Sequence, residues 1–138
     1  KEPLKGIDDD IWILKSGNLD NKRINSKDIA ATGLVYLTLN ASKSFLPYNQ
    51  SIYINTLLNE LSDKAPIRRS RLSSNNYTKL IHGHIVISIH IDVRNNENER
   101  TVSEVFSDLS NMIVYKNITT FSSSVTNDLD QYYGFIPI

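Results

Sequence analysis

Hydrophobic and polar positions alternate most regularly over residues 80–93, LIHGHIVISIHIDV. Ile81, Ile85, Ile87, Ile89, Ile91 and Val93 fall in one row with Gly83, and His82, His84, Val86, Ser88, His90 and Asp92 in the other. A period of two with β-branched residues at nearly every inward position predicts one long strand. Ile85, Ile87 and Ile89 are expected inside, and His84, Ser88 and His90 on a wetter face. Residues 34–40 repeat the pattern, with Val35, Leu37 and Leu39 opposite Tyr36, Thr38 and Asn40. Residues 11–14, containing Trp12, read as a short strand or anchoring segment closed by a Ser-Gly-Asn turn.

Two stretches change to a helical period. Ile54, Leu57, Leu58 and Leu61 make one apolar stripe after Asn49 or Ser51, either a suitable cap, and residues 63–66 end it at a proline. Thr101 and Glu104 are spaced as a capping box. Behind it Val102, Val105, Phe106, Leu109 and Ile113 form the second stripe. That helix is expected to stop near Asn111, with residues 112–115 turning into strand. The serine-rich residues 116–130 read as loop with an edge strand at 119–122, and the closing YYGFIPI, residues 132–138, as a final strand. The whole predicts an α+β fold: a single domain with a twisted antiparallel or mixed β-sheet and two short helices packed on one face.

Composition changes this picture little. The 138 residues carry fifteen acids and fifteen bases, and 40% are apolar, ordinary for a globular chain and enough for one core. Residues 1–138 are read as one domain, the core of a longer protein, with residues 1–10 a flexible lead-in. The absence of cysteine excludes disulfides, thiolate catalysis and cysteine zinc sites. Four Asn-x-Ser/Thr sequons, at Asn40, Asn49, Asn76 and Asn117, are what so much Asn and Ser produces by chance.

Candidate chemistry is sparse. His82 and His84 would lie roughly 7 Å apart along a strand and His90 roughly 26 Å from His82, so the three cannot share an ion unless the strand breaks. The chain shows no Gly-rich phosphate loop, HExxH helix or nucleophile motif. It is therefore read as non-enzymatic, with no catalytic residue, metal or cofactor assigned. The compositional anomaly is residues 64–79, where Lys64, Arg68, Arg69, Arg71 and Lys79 occur without an acid. Among so many Ser and Asn residues it reads as a mobile, solvent-exposed loop. That loop is a candidate interaction surface for anionic membrane or for ribonucleoprotein through non-specific charge contacts.

The strand–turn–helix order of residues 34–61, LVYLTLNASKSFLPYNQSIYINTLLNEL, resembles the globular domain of rhabdovirus matrix proteins. So do the strand opening on Gly83 with its acidic turn, and the helix and short strand of residues 102–115. The resemblance touches about two-thirds of the chain, in pattern more than identity. It implies a structural viral matrix protein of the virion and host cytoplasm, self-associating beneath an envelope or host membrane and contacting nucleocapsid. Self-association is expected through Tyr132, Tyr133, Phe135 and Ile136. An extracytoplasmic sensing or assembly domain of a membrane-anchored bacterial protein is the alternative, and a small enzyme the third reading.

Overall fold

A computed structural model describes residues 28–45 and 49–138. The strand read at 11–14, Trp12 and the lead-in lie outside the described residues. The fold is α+β. Strands β1 (Ala31–Tyr36), β2 (Leu72–Ser73), β3 (Thr78–Ile81), β4 (His84–Ile91) and β5 (Ile136–Pro137) form one sheet in the order β2-β4-β1-β5, with β3 also on β4. All of these pairings are antiparallel. Helices α1 (Leu39–Ser44), α2 (Gln50–Lys64) and α3 (Val102–Val114) complete the regular structure.

The core lies where the two stripes meet the sheet. Ile87, Ile89 and Ile91 are buried with Val35 and Leu37 from the β1 side, Ile54, Leu57, Leu58 and Leu61 from α2, and Val102, Val105, Leu109 and Ile113 from α3. Register follows from this burial. Val35 faces Ile87 and Ala31 faces Ile91, so the inward rows of both strands meet, and a one-residue slip would expose them. The expected capping box of α3 is present, with Glu104 N donating to Thr101 Oγ1 and Thr101 N donating to Glu104 Oε1.

The long strand breaks where the alternation predicted continuity. His82 (φ 50°) and Gly83 (φ 85°) form a two-residue turn, so residues 78–91 are a hairpin in which Ile81 pairs with His84. Positive φ at both turn residues matches the right-handed twist of the arms, and glycine, with histidine before it, tolerates that region. The second strand also ends earlier than its pattern implies. Thr38 accepts from Ala41 N and caps α1, which leaves Leu39 half-exposed rather than in the sheet.

Two later expectations fail for identifiable reasons. Helix α3 runs through Val114, because Ile113 continues the Val102, Val105, Leu109 stripe and nothing breaks the turn. Residues 116–128 are three short 3₁₀ turns rather than loop with an edge strand. Their hydroxyls serve nearby carbonyls, as in Ser122 Oγ to Thr119 O, Ser123 Oγ to Thr120 O and Thr126 Oγ1 to Ser123 O, a local pairing that competes with a ladder.

Phe135 is buried, stacked on Phe106 with ring centroids 4.2 Å apart. It lies against Gly33, where an added Cβ would sit 2.5 Å from the ring. Gly33→Ala is therefore expected to cost about 1–3 kcal/mol by overpacking, read as a lower urea midpoint. An unchanged midpoint would mean that the ring moves freely.

Candidate interaction surfaces

The histidine row does not form a site. His82 is exposed in the turn. His84 is buried, its Nδ1–H donating to Leu37 O at 2.7 Å, with Asp130 Oδ2 3.7 Å away. Tyr36 and Tyr133, stacked 4.1 Å apart, each present an edge-to-face contact to its ring. This end of the outer sheet face is thus covered, contrary to the expectation that His84 points to solvent. His90 lies farther along β4 and pairs with Thr32 Oγ1 at 3.0 Å.

The basic segment includes a 3₁₀ turn at Arg69–Arg71 and strand β2, and its cations do not share one face. Arg71 is only 2% exposed. Its Nε donates to Asp92 O at 3.0 Å and its Nη1 to Arg100 O at 2.7 Å. Nη2 is buried without a hydrogen-bond partner, 3.8 Å from Asp28 Oδ2. Arg68 makes a two-nitrogen contact with Glu99, at 3.2 and 3.0 Å, which holds the Glu99 carboxyl below its usual range and raises the guanidinium. Lys64 bonds Ser123 O and Thr126 Oγ1, both at 2.8 Å, beside Glu60 at 3.5 Å. The expected exposure is corrected for Arg71 above all: acids distant in sequence are its neighbours in space. Lys79 is exposed, with no ion pair among the described residues.

Arg69 differs from the others. Its Nε donates to Asn59 Oδ1 at 2.6 Å, Nη2 to Asn55 Oδ1 at 2.8 Å and Nη1 to Leu72 O at 2.8 Å. Every partner is neutral. It lines a groove of about 260 Å³ between α2 and the segment joining β2 to β3.

The terminal segment is mostly part of the domain. Phe135 is core, Tyr133 stacks on Tyr36, and Ile136 is half-buried and pairs with Leu34. Of the four residues expected to dock on a neighbour, only Tyr132 is well exposed, at 88%. An unanticipated exposed set lies where its turn packs. A Cβ at Gly134 would meet Val114 Cγ2 at 3.1 Å, so the turn carrying Tyr132 lies on the end of α3. Val114, Tyr115 and Ile118 are there, the last 85% exposed. Residues 109–127 hold a single charged residue, Lys116, and residues 131–138 none. The Lys116 amine turns inward to Asn127 O and Leu129 O, and burial lowers its pKa. The sequence signal was available: Tyr115 and Ile118 fall off the α3 stripe.

A second groove, about 380 Å³, is lined by Asn40, Phe45, Tyr53 and Asp128 among others. Tyr53 donates to Asp128 Oδ2 at 2.7 Å, and burial with that contact raises its pKa, so the phenol stays a neutral donor. The four sequon asparagines are exposed. No group of three or more His, Asp or Glu placed to hold a metal occurs among the described residues, and no described helix is long and apolar enough to cross a membrane. No family model, curated protein or solved structure matches this chain.

Proposed function

We propose that this chain is a non-catalytic assembly domain, acting as the shell-forming matrix proteins do, by self-association. The observation that carries this reading is the exposure of Val114, Tyr115, Ile118 and Tyr132, at the end of α3 and on the turn that packs there. Exposed aromatic and aliphatic side chains gathered on one patch favour a protein interface over solvent. The four side chains carry no charge, and the neighbouring acid, Asp130, has one oxygen engaged by Tyr132 N, so two copies could meet about a two-fold axis through apolar contacts. Contact with anionic membrane or ribonucleoprotein remains part of the proposal, but Arg69 and Lys79 are its main support, because Lys64, Arg68 and Arg71 are engaged by acids.

The test is sedimentation over a concentration series. The expected result is concentration-dependent association of wild type, and smaller species at every concentration for the Ile118→Ser/Tyr132→Ser double variant. Both side chains are exposed, so folding stability should change by no more than about 0.5 kcal/mol for each. A monomeric wild type, or a double variant that assembles as wild type does, would overturn the reading.

A further inference from the structure

We infer that the Arg69 groove is a second self-association site, and that its occupant is Glu97 of another copy. Arg69 is held in place by Asn55, Asn59 and the Leu72 carbonyl. These use three of the five N–H groups of a guanidinium, leaving two to donate. No carboxylate neutralises it among the described residues, and the groove lining contains no acid. Its floor is apolar, from Ile54, Leu58 and Leu72. At about 260 Å³ the groove falls below the roughly 300–1,000 Å³ usual for small-molecule sites, and suits one inserted side chain with its carboxylate.

A matching acid is close by on the same molecule. Glu97 stands exposed in the turn at residues 95–100, with no ion pair or hydrogen bond of its side chain among the described residues. The turn is shaped by Asn98 N and Glu99 N donating to Asn96. The Arg68–Glu99 pair ties it beside the segment that bears Arg69. Donor turn and acceptor groove are therefore neighbours. Two copies facing each other about a two-fold axis make the contact twice, Glu97 of each meeting Arg69 of the other. Buried opposite charges of this kind set register and exclude wrong partners.

This inference rests on the assembly reading and extends it. The groove lies by the β2 and β3 side of the sheet, whereas the aromatic surface lies by β5, the opposite edge in the strand order. One two-fold contact ends at a dimer. Two different ones on opposite edges let copies add without limit, which a shell requires.

Sedimentation equilibrium of the full chain in the Ile118→Ser/Tyr132→Ser background isolates this contact. The background variant is expected to retain dimers that weaken with added salt. Adding Arg69→Glu or Glu97→Lys should weaken dimerisation about tenfold or more, since both symmetric contacts are reversed at once. An equimolar mixture of the two charge variants should restore it, because each then offers the complement of the other. Glu97 is exposed and makes no described contact, so its variant tests the site even where Arg69→Glu disturbs the fold. A background variant without dimers, charge variants that dimerise unchanged, or a mixture that stays monomeric would each overturn the inference, while loss of larger species on removing the aromatic surface would still support assembly.

Discussion

Phe121→Ala is expected to destabilise the domain by about 3–5 kcal/mol, the range for deleting a buried aromatic ring. Phe121 is fully buried although it sits in a 3₁₀ turn within a largely polar, serine- and threonine-rich stretch. It belongs to the same cluster as Ile87 and Leu109. The turns around it contribute little ladder pairing to the sheet, the Leu37–Leu129 bridge being the contact beside β1. They are held by Lys64 and Glu60 of α2 on one side, and by Lys116 reaching Asn127 O and Leu129 O on the other. The ring is thus the apolar anchor of a segment otherwise fixed by polar clamps. Urea unfolding should show a lower midpoint with an unchanged slope, since the surface exposed on unfolding is nearly the same. A loss below about 1 kcal/mol would place the ring at the margin of the core, outside the range for a filled interior position.

Periodicity made the core legible. Ile54, Leu57, Leu58 and Leu61, with Val102, Val105, Leu109 and Ile113 of the α3 stripe, and Ile87 and Ile89 are buried as their spacing implies, while Phe106 and Ile85 of the same rows are only partly buried. Local conformation was less legible. The alternation of residues 80–93 continues through His82 and Gly83, and period alone cannot reveal a turn in which both residues take positive φ. The His-Gly pair was the available cue. Phe121 has no periodic partner in sequence; its burial follows from where the turns return to the sheet. The basic segment misled for a related reason. Five cations without a local acid suggest a free loop, yet Asp28 and Glu99, distant in sequence, fold against Arg71 and Arg68. Charge pairing across the chain leaves no mark on a linear composition. Tyr132 was foreseen as exposed, and Ile118 was not, because surface patches are made by elements meeting rather than by one segment.

Arg71→Met should cost about 3–5 kcal/mol, as expected when one partner is removed from a buried charged contact. The side chain joins four parts of the fold. It donates to Asp92 O past the end of β4 and to Arg100 O before α3, while Asp28, leading into β1, lies 3.8 Å from Nη2 and Glu99 3.8 Å from Nη1. Asp28 in turn accepts from Arg94 N at 2.8 Å and Val102 N at 2.7 Å, so its carboxylate is fixed where the guanidinium expects it. Methionine fills much of the volume but leaves the two carbonyls without their donors and Asp28 without its cation. Arg71→Lys keeps the charge but not the fork, and one ammonium replaces donors that diverge toward separate carbonyls, so a substantial part of the loss should remain. Lys79→Met is the matched control, an exposed cation of the same segment whose loss should change stability by no more than about 0.5 kcal/mol. Acid sensitivity gives a second readout. Arg68 is the chief cause of the lowered Glu99 pKa and Arg71 a lesser one. The stability from that pairing is present above the ordinary carboxylate range and is lost as pH falls through the lowered value. Arg71→Met should reduce this acid-dependent loss only in part, because Arg68 still holds Glu99. Equal, small effects of Arg71→Met and Lys79→Met in urea would return Arg71 to the solvent-exposed role that composition alone suggests.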